Sequence, residues 1–511
     1  MKKILAGLLA CLVLSGCAFG NAGYVPTGDA LDQQIQTTAP RQEEDIPSTE
    51  QRLTLSFDPT GTFNPYTDTK PSNRVLFSLL YQGLFTLDMQ YNLSPVLCKN
   101  YSISKDMETY TFYLEYATFP DGTLLGAEDV VASLEAARAS AVYGGRFTYI
   151  STITALEDGA VQIQLTTPYE NLPILLDIPI VKADTIADPW PVGTGPYYQE
   201  QGLTGPMLVR RTNWWCRATM AATALGISLL EAESAPMLRD DFEFGSVGLV
   251  CADPGTDSYV DFRCDYELWG CENGIFLYLA CNEKSKVFSN QKLRAALTYG
   301  IDRDLLASDF YGGFASAASL PASPSFPLYS DKLAAQYKYD PAKFVQMITD
   351  ASPSAMNITL LVNSADSRRI RVARKIAEML TEGGFKVTVS ALSGTSYTNA
   401  LKKGNYDLHL GQTKLSPNMD LSAFFAPKGS LNYGSLSDAG LYALCQEALA
   451  NEGNYYTLYQ KVMQDGMLCP ILFRSYAIYG QRGLFSNLNP ARDNVFWYTL
   501  GKSMDDCLIT Q

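Results

Sequence analysis

Residues 119–131 read FPDGTLLGAEDVV, a turn that leads directly into the start of a helix. The Pro120-Asp121-Gly122 run is a turn signal, because proline fixes φ and glycine accepts positive φ. From Gly126 to Arg138 the apolar residues recur at helical spacing, and Glu128 and Asp129 occupy the first turn. Carboxylates there favour the positive end of a helix. We therefore predict a helix-start role for these two side chains and not a general acid and base pair.

Alternating strands and helices extend from this turn in both directions along the chain. Alternation of apolar and polar residues predicts strands, and a 3.6-residue apolar period predicts helices. The predicted strands are 52–57, 109–114, 161–165, 358–362 and 386–389, and the predicted helices are 126–138, 290–301 and 367–380. The strand–helix–strand order over 358–389 predicts a parallel sheet and an α/β fold.

The composition excludes several classes of function. The chain has 511 residues and a formal net charge of −14, which argues against nucleic acid as a partner. His409 is its one histidine, so sites that need two histidine ligands are excluded. The sequence has no GxSxG, P-loop or HExxH motif. We therefore expect no enzyme, no metal and no cofactor.

The N-terminus carries the pattern of a bacterial export signal. Two lysines precede an apolar run from Ile4 to Leu14, which is too short to span a bilayer as a helix. The letters LSGC, ending at Cys17, resemble a lipobox, which implies a signal peptide over 1–16 and a lipid on Cys17. The alternative is an ordinary signal peptide with an incidental cysteine. Residues 17–51 have linker composition, and we expect them to tether the folded body to the outer, extracellular or periplasmic side of the cell membrane.

Nine cysteines remain beyond Cys11 and Cys17. An odd number cannot all pair within the chain, although export permits disulfides. Their spacing fits no zinc motif. We expect most of them to be buried free thiols. A local disulfide is open among Cys216, Cys251, Cys264 and Cys271.

Short motifs in a fixed order resemble one protein family. They include LLYQGLF at 79–85, the turn and helix at 119–131, GTGPY at 193–197 and LRAALTYGIDR at 293–303. Their order and spacing over roughly residues 52–500 resemble the bacterial family 5 extracellular solute-binding proteins. These are the peptide, opine and nickel receptors of ABC importers. The resemblance implies a receptor that works with a permease and an ATPase.

The resemblance also implies an α/β, periplasmic-binding-protein-like fold. Two lobes of mixed sheets flanked by helices are joined by a hinge, with one extra domain. We expect domain I over 52–84, 189–278 and 489–511, domain II (the extra domain of lobe 1) over 85–188, and domain III (lobe 2) over 279–488. Hinge strands are expected near Phe276–Asn282 and Leu488–Val495. The ligand is then enclosed between domains I and III, and the family implies a monomer.

The ligand site departs from the pattern of the family. Peptide-binding members usually carry GWxADYPDP, whose Trp lines the pocket and whose first Asp binds the ammonium group of the peptide. This chain reads GQTKLSPNMD over 411–420, so Gln412 replaces the Trp and Leu415 replaces that Asp. Asn418 replaces the second Asp, and Lys414 adds a cation nearby. This counts against free-amine peptides, because an enclosed ammonium without a carboxylate is costly.

The expected ligand contacts come from two strands and the loops that follow. They are Tyr278, Gln412, Thr413, Leu415, Asn418, Asp420 and Tyr433. Asp420 supplies the missing carboxylate only if its loop shifts. For the two tyrosines a place in the core is the commoner role for an aromatic residue, and for His409 we expect a structural role on a strand.

Two functions remain open from the sequence. The first is a lipid-anchored receptor that captures a peptide or peptide-like solute and delivers it to an ABC permease. The second is a surface sensing or interaction protein of the same fold without transport, such as a peptide-signal receptor or an adhesin. Fold alone does not separate these two functions.

Overall fold

The computed structural model describes residues 53–203, 205–216, 218–256, 262–433 and 436–509. The predicted signal peptide over 1–16, the lipid site Cys17 and the tether over 17–51 lie outside the described residues. Within the described ranges, no helix is both long enough and apolar enough to cross a membrane.

Strands and helices alternate along the described part of the chain. The strands are β1 Leu53–Phe57, β2 Phe85–Leu87, β3 Leu93–Pro95, β4 Cys98–Ile103, β5 Thr109–Leu114, β6 Ile150–Ala155, β7 Val161–Leu165, β8 Tyr197–Gln201, β9 Pro206–Arg210, β10 Gly226–Glu231, β11 Leu249–Ala252, β12 Tyr266–Cys281, β13 Ala315–Ala317, β14 Asn357–Asn363, β15 Lys386–Leu392, β16 Leu408–Lys414 and β17 Leu468–Gln481. The α-helices are α1 Pro71–Leu80, α2 Ala127–Ala139, α3 Ala235–Glu243, α4 Gln291–Ala296, α5 Arg303–Tyr311, α6 Asp331–Ala334, α7 Pro341–Ala351, α8 Ser367–Glu382, α9 Gly394–Lys403, α10 Ser422–Phe425, α11 Ala439–Ala450, α12 Tyr455–Asp465 and α13 Met504–Cys507.

The turn at residues 119–131 folds as the sequence predicts. α2 begins after Gly126, whose backbone N–H donates to the carboxylate of Asp129 at 2.9 Å. The same carboxylate accepts a second hydrogen bond from the N–H of Ala183 at 2.8 Å. The helix-start role of Asp129 is confirmed, because its oxygens are used to bind backbone donors.

Three sheets of four or more strands carry the fold. One has the order β1-β10-β9-β8 and another the order β4-β5-β7-β6. The largest has seven strands in the order β11-β17-β12-β16-β14-β15, with β13 paired to β17. β14 pairs in parallel with both β15 and β16, so the predicted parallel strand–helix–strand unit is confirmed. The remaining pairs of this sheet are antiparallel, which makes it a mixed sheet.

β12 and β17 are the two long strands of the large sheet, and they lie side by side. The second half of β12 pairs with β16, and its first half pairs with the end of β17, which also pairs with β11. The predicted hinge segment Phe276–Asn282 lies almost wholly in β12. The strand predicted at Leu488–Val495 is wrong, whereas a hinge at this segment stays a prediction. That segment has a single bridge between Ala491 and Asn494, and the φ of 57° at Asp493 interrupts extended backbone.

One large apolar cluster joins side chains from all three of these sheets. All nine cysteines beyond Cys17 are free, and seven of them are buried. The expectation of buried free thiols is thus confirmed, and no disulfide forms among Cys216, Cys251, Cys264 and Cys271. The limits given for domains I, II and III stay a prediction.

Candidate functional site

β16 carries two different environments at its two ends. It lies between β14 and β12, with Tyr278 of β12 opposite Gly411. A Cβ atom at position 411 would approach the Tyr278 hydroxyl oxygen to 2.6 Å, so only glycine leaves room for this ring. Because the following residues run toward Lys414 at the strand end, β16 connects a buried aromatic region with a charged one.

The first environment is the tyrosine cluster, formed by His409 with Tyr278, Tyr397, Tyr406 and Tyr433. The Nε2 atom of His409 lies 2.6 Å from the Tyr397 hydroxyl oxygen, and all four tyrosine rings have centroids within 6.4 Å of the imidazole. Burial, together with the cation of Arg369, lowers the pKa of His409 to about 3. His409 is therefore neutral at physiological pH, which suits the structural role predicted for it.

The second environment is the Asp493 cluster, formed by Asp493 with Lys414, Arg74 and Arg492. The Lys414 Nζ atom lies 2.6 Å from both carboxylate oxygens of Asp493. One nitrogen of each arginine lies 3.9 Å from the same carboxylate. Burial alone would raise the pKa of Asp493, but the three cations together hold it well below its usual range.

A small cavity of about 60 Å³ adjoins the Asp493 cluster. Its charged lining consists of Arg74, Arg146, Asp177, Arg492 and Asp493, and Tyr143 is among its polar residues. Arg146 is ion-paired with Asp177 and donates to the carbonyl of Leu175 at 3.2 Å. The Tyr143 ring lies against both Arg74 and Arg146, with its centroid 5.9 and 5.1 Å from their guanidinium carbons. Residues distant in the sequence thus form one polar surface.

Several side-chain hydrogen bonds around the large sheet join segments that are distant in the sequence. Arg474 of β17 donates to the side chain of Gln412 at 3.2 Å and to Asp253 at 2.5 Å. Farther away, Asn171 donates to Glu452 at 2.8 Å, and Gln446 donates to the Tyr149 hydroxyl at 3.0 Å. The last two contacts join the segment of the β4-β5-β7-β6 sheet to residues 446–452, whereas the Arg474 contacts stay within the large sheet and its β11 edge.

Solved structures and curated proteins share this architecture. The ABC transporter substrate-binding protein CtaP of Listeria monocytogenes superimposes with a TM-score of 0.71 at 18% identity, over 90% of this chain and 100% of that one. The oligopeptide-binding protein AppA of Bacillus subtilis, solved with a nonapeptide, gives a TM-score of 0.60 at 19% identity, over 89% and 100%. The glutathione-binding protein GsiB of Escherichia coli (strain K12) is 26% identical over 360 residues, which cover 65% of this chain and 67% of that protein.

Residues 92–434 match the family model described as bacterial extracellular solute-binding proteins, family 5, middle region. The chain belongs to this family. The fold class and the family resemblance predicted from the sequence are thereby confirmed. Family 5 binding proteins are extracellular or periplasmic, bind peptides or related solutes, and work with ABC permease and ATPase components. They are receptors and not enzymes.

In this family 5 protein, the loop expected to bind a peptide ammonium group holds no available carboxylate. Leu415 is buried, and its carbonyl oxygen accepts a hydrogen bond from Arg492. One carboxylate oxygen of Asp420 accepts hydrogen bonds from the backbone N–H and the hydroxyl of Ser422, at 3.0 and 2.7 Å. Burial also raises the pKa of Asp420. These contacts count against Asp420 as a substitute for the missing ammonium partner.

The other predicted contacts divide between the core and the polar boundary. Asn418 is buried, and its carbonyl accepts from the Tyr455 hydroxyl at 2.7 Å. Tyr278 is 2% exposed and packs within the tyrosine cluster. Thr413, opposite Phe276, and Tyr433 are partly exposed, and Gln412 reaches Arg474. Of the predicted contacts, Leu415 and Gln412 therefore touch the charged side of the site, through Arg492 and Arg474.

Sequence reasoning missed the cationic side of the site. Arg74 lies within an amphipathic helix, Arg146 in the 3₁₀ turn Gly144–Phe147, and Arg492 in a loop near the C-terminus. Lys414 was the one local signal, since it places a cation where the family pattern has an anion. Among the described residues, no cluster of three or more His, Cys, Asp or Glu side chains could hold a metal ion.

Proposed function

We propose that this chain is the lipid-anchored binding protein of an ABC importer. It captures a peptide or peptide-like solute between two lobes and delivers the solute to the permease. The observation that carries this proposal is the polar boundary at the end of β16, where Lys414 of the large sheet binds Asp493 of the C-terminal segment. Gln412, Arg474 and Asp253 form a second polar group beside it. β12 and β17 extend along both sides of that boundary and are the proposed hinge, because few other strands connect the two sides.

The proposal includes the predicted domain limits and the anchor. The sheet β4-β5-β7-β6 falls within 85–188, the segment assigned to domain II. Most strands of the large sheet fall within 279–488, the segment assigned to domain III. Cys17 is the proposed lipid site, residues 17–51 the tether, and the protein acts as a monomer.

The proposed solute is bound without an ammonium-binding carboxylate. Gln412, Thr413 and Tyr433 are the proposed contacts on the large-sheet side, since all three are partly exposed. Glutathione, named for the relatives of this chain, is one candidate among peptide-like solutes. N-blocked peptides are preferred to free-amine peptides of the same sequence, because Leu415 offers an ammonium group no partner.

Isothermal titration of the full mature protein tests the capture of a solute. The panel contains glutathione, free tripeptides and the same tripeptides after N-acetylation. Binding of glutathione or acetylated peptides, with weaker binding of their free-amine counterparts, supports the proposal. Stronger binding of free-amine peptides would show that another group replaces the missing Asp.

Membrane fractionation tests the anchor, and transport tests the partner. A Cys17→Ser variant is expected to leave the membrane fraction, whereas a Cys11→Ser variant, altered within the predicted signal peptide, keeps the mature protein membrane-bound. Uptake of the bound solute by vesicles that contain the permease and ATPase separates transport from sensing. A protein that binds the solute without stimulating uptake is a sensor and not an import receptor.

A further inference from the structure

A second and larger cavity lies outside the site described above. It is a groove of about 910 Å³ that carries the rings of Tyr116, Trp215, Trp497 and Tyr498, and we call it the aromatic groove. Its volume is within the range of ligand pockets, which is about 300–1,000 Å³. The groove lies between the end of β5, the chain that precedes β10 and the chain that follows β17. It is therefore found where the β4-β5-β7-β6 sheet and the β1-β10-β9-β8 sheet meet.

A wall of hydrogen-bonded side chains separates the aromatic groove from the cavity beside the Asp493 cluster. Tyr498 lines both, and Gln82 lines only the smaller cavity. The buried Gln82 amide donates to the Tyr498 hydroxyl at 2.7 Å and accepts from the Trp215 Nε1 atom at 2.8 Å. Because one amide holds both rings in place, the groove is preformed and separate from the smaller cavity.

Two indole rings give the aromatic groove an apolar floor. Trp215 and Trp497 are both partly exposed. The N–H of Trp215 is bound to Gln82, and the Nε1 atom of Trp497 is buried and has no partner within the described residues. Neither ring offers its one polar atom to a ligand, so both contribute carbon atoms to the groove. The Tyr116 ring, which is 78% exposed, extends this surface at the edge of the groove.

The rim of the groove carries neutral polar groups without protein partners. Asn487 and Asn489 are exposed and line it, and neither side-chain amide makes a hydrogen bond with the described residues. Each amide can both donate and accept, as can the Tyr116 hydroxyl. The φ of 62° at Asn487 gives asparagine a backbone role there, because asparagine tolerates this region. Asn489 has no such role and is the clearer sign of a ligand contact.

The groove offers no unpaired charge. Glu115 and Lys502 are the charged side chains among its described lining residues, and they form an ion pair with each other. A charged ligand would therefore have to break this pair to gain a partner of opposite sign. A neutral ligand with polar groups at its edges suits the lining better.

We propose that the aromatic groove is a second binding site, which takes a neutral oligosaccharide. A pyranose ring has a face of C–H groups that packs against the negative face of an aromatic ring. Its hydroxyl groups both donate and accept, as the amides of the rim do. A proline-rich peptide also packs on aromatic rings, but its proline rings would leave the amides of Asn487 and Asn489 unused. This site is additional to the proposed solute site and does not depend on it.

Titration of the full mature protein with defined tetrasaccharides tests the ligand class. The neutral probes are cellotetraose, maltotetraose and tetra-N-acetylchitotetraose, and tetragalacturonic acid is the charged one. N-acetyl-tetraproline amide represents the competing class. Tryptophan fluorescence reports binding, because two indole rings lie in the groove. We expect at least one neutral tetrasaccharide to bind, and to bind more tightly than the acid and the proline peptide.

Variants at the edge of the groove show whether it is responsible for that binding. Tyr116→Ala and Asn489→Ala are each expected to weaken the affinity about threefold to tenfold, the effect of one ring contact or one hydrogen bond. Both side chains are exposed, so circular dichroism should show that both variants are folded. Tyr456→Ala is the matched control, because Tyr456 is a tyrosine of α12 that is 41% exposed and lies outside the groove. It should bind like the wild type.

The possible outcomes separate this inference from the proposed function. If no neutral tetrasaccharide binds, or if the proline peptide binds more tightly, the inference is overturned and the receptor role stands. If a tetrasaccharide binds equally to the wild type and to both edge variants, it binds elsewhere and the inference is overturned. If glutathione and all peptides fail to bind while a tetrasaccharide binds and both edge variants weaken it, the proposed function fails and this site stands.

Discussion

The two ends of β16 show how partners decide the charge of a titratable group. Burial lowers the pKa of His409 to about 3 and that of Lys414 to about 8. His409 loses its charge because tyrosine rings and the cation of Arg369 surround it. Lys414 keeps its charge at neutral pH because the carboxylate of Asp493 lies 2.6 Å from its Nζ atom. One strand thus supplies a neutral packing region and a charged region.

Loss of the shared carboxylate has the largest expected effect on this contrast. Asp493→Asn removes the anion shared by the buried Arg492, the partly buried Arg74 and the more exposed Lys414. We expect a loss of about 3–4 kcal/mol in the free energy of unfolding at pH 7, the lower part of the range for a broken buried pair, because solvent screens Lys414. Urea denaturation followed by tryptophan fluorescence measures it. Asp184→Asn is the control, because Asp184 is exposed and lies 3.9 Å from its lysine partner.

The pH dependence of that loss has a defined sign. The pKa of Asp493 is lower in the folded protein than in the unfolded chain. Its contribution is therefore complete above the unfolded pKa of about 3.9 and is lost as the pH falls toward the folded value. The difference between wild type and Asp493→Asn should shrink below pH 4. A difference that stays constant down to pH 2 contradicts the three-cation arrangement.

The tyrosine cluster predicts a pH dependence of the same sign in a higher pH window, with the next largest effect. The pKa of His409 is lowered from 6.5 to about 3, so the unfolded chain takes up a proton before the folded protein does. Stability due to this group is then complete above pH 6.5 and declines as the pH falls. Relative to His409→Phe, the wild type should lose about 3 kcal/mol between pH 6.5 and 4, at roughly 1.4 kcal/mol per unit. Equal slopes for the two proteins would mean that the imidazole becomes protonated in the folded state.

Local sequence patterns predicted part of the fold and of the site, but they did not predict contacts between residues that are distant in the sequence. Alternation over 109–114 and 161–165 predicted β5 and β7 to the residue, because each strand has one buried and one exposed face. The strand that the family resemblance implied at Leu488–Val495 is absent because φ at Asp493 is positive, which a resemblance between short motifs does not reveal. The tyrosines and His409 lie on or near β16, so part of that cluster could be inferred locally. Arg74, Arg146 and Arg492 meet only in the folded chain, and no local pattern brings them together.

A glycine beside the Asp493 cluster tests how tightly Arg492 is held. Gly274 has φ of 71°, and a Cβ atom there would lie 2.4 Å from the Arg492 guanidinium carbon. We expect Gly274→Ala to cost about 2 kcal/mol, since it adds a displaced guanidinium to the strain of positive φ. Gly159→Ala is the matched control, because its φ is 82° and nothing lies within 4 Å of its Cβ position. The control should lose about 1 kcal/mol, measured by the same urea denaturation. Equal losses in the two variants would show that Arg492 is free to move.

The smallest expected effect comes from one hydroxyl group of the tyrosine cluster. Tyr397→Phe removes the partner of His409 Nε2, whose Nδ1 atom already finds no hydrogen bond within the described ranges. We expect a loss of about 1 kcal/mol, measured by urea denaturation, because a neutral hydrogen bond contributes about that much. Tyr116→Phe, at a side chain that is 78% exposed, should change nothing. No charge is involved in the lost bond, so the cost should be the same at pH 5 and pH 8. A cost that grows at pH 5 would mean that His409 is charged there and donates to the Tyr397 oxygen, and the neutral end of β16 would then resemble its charged end.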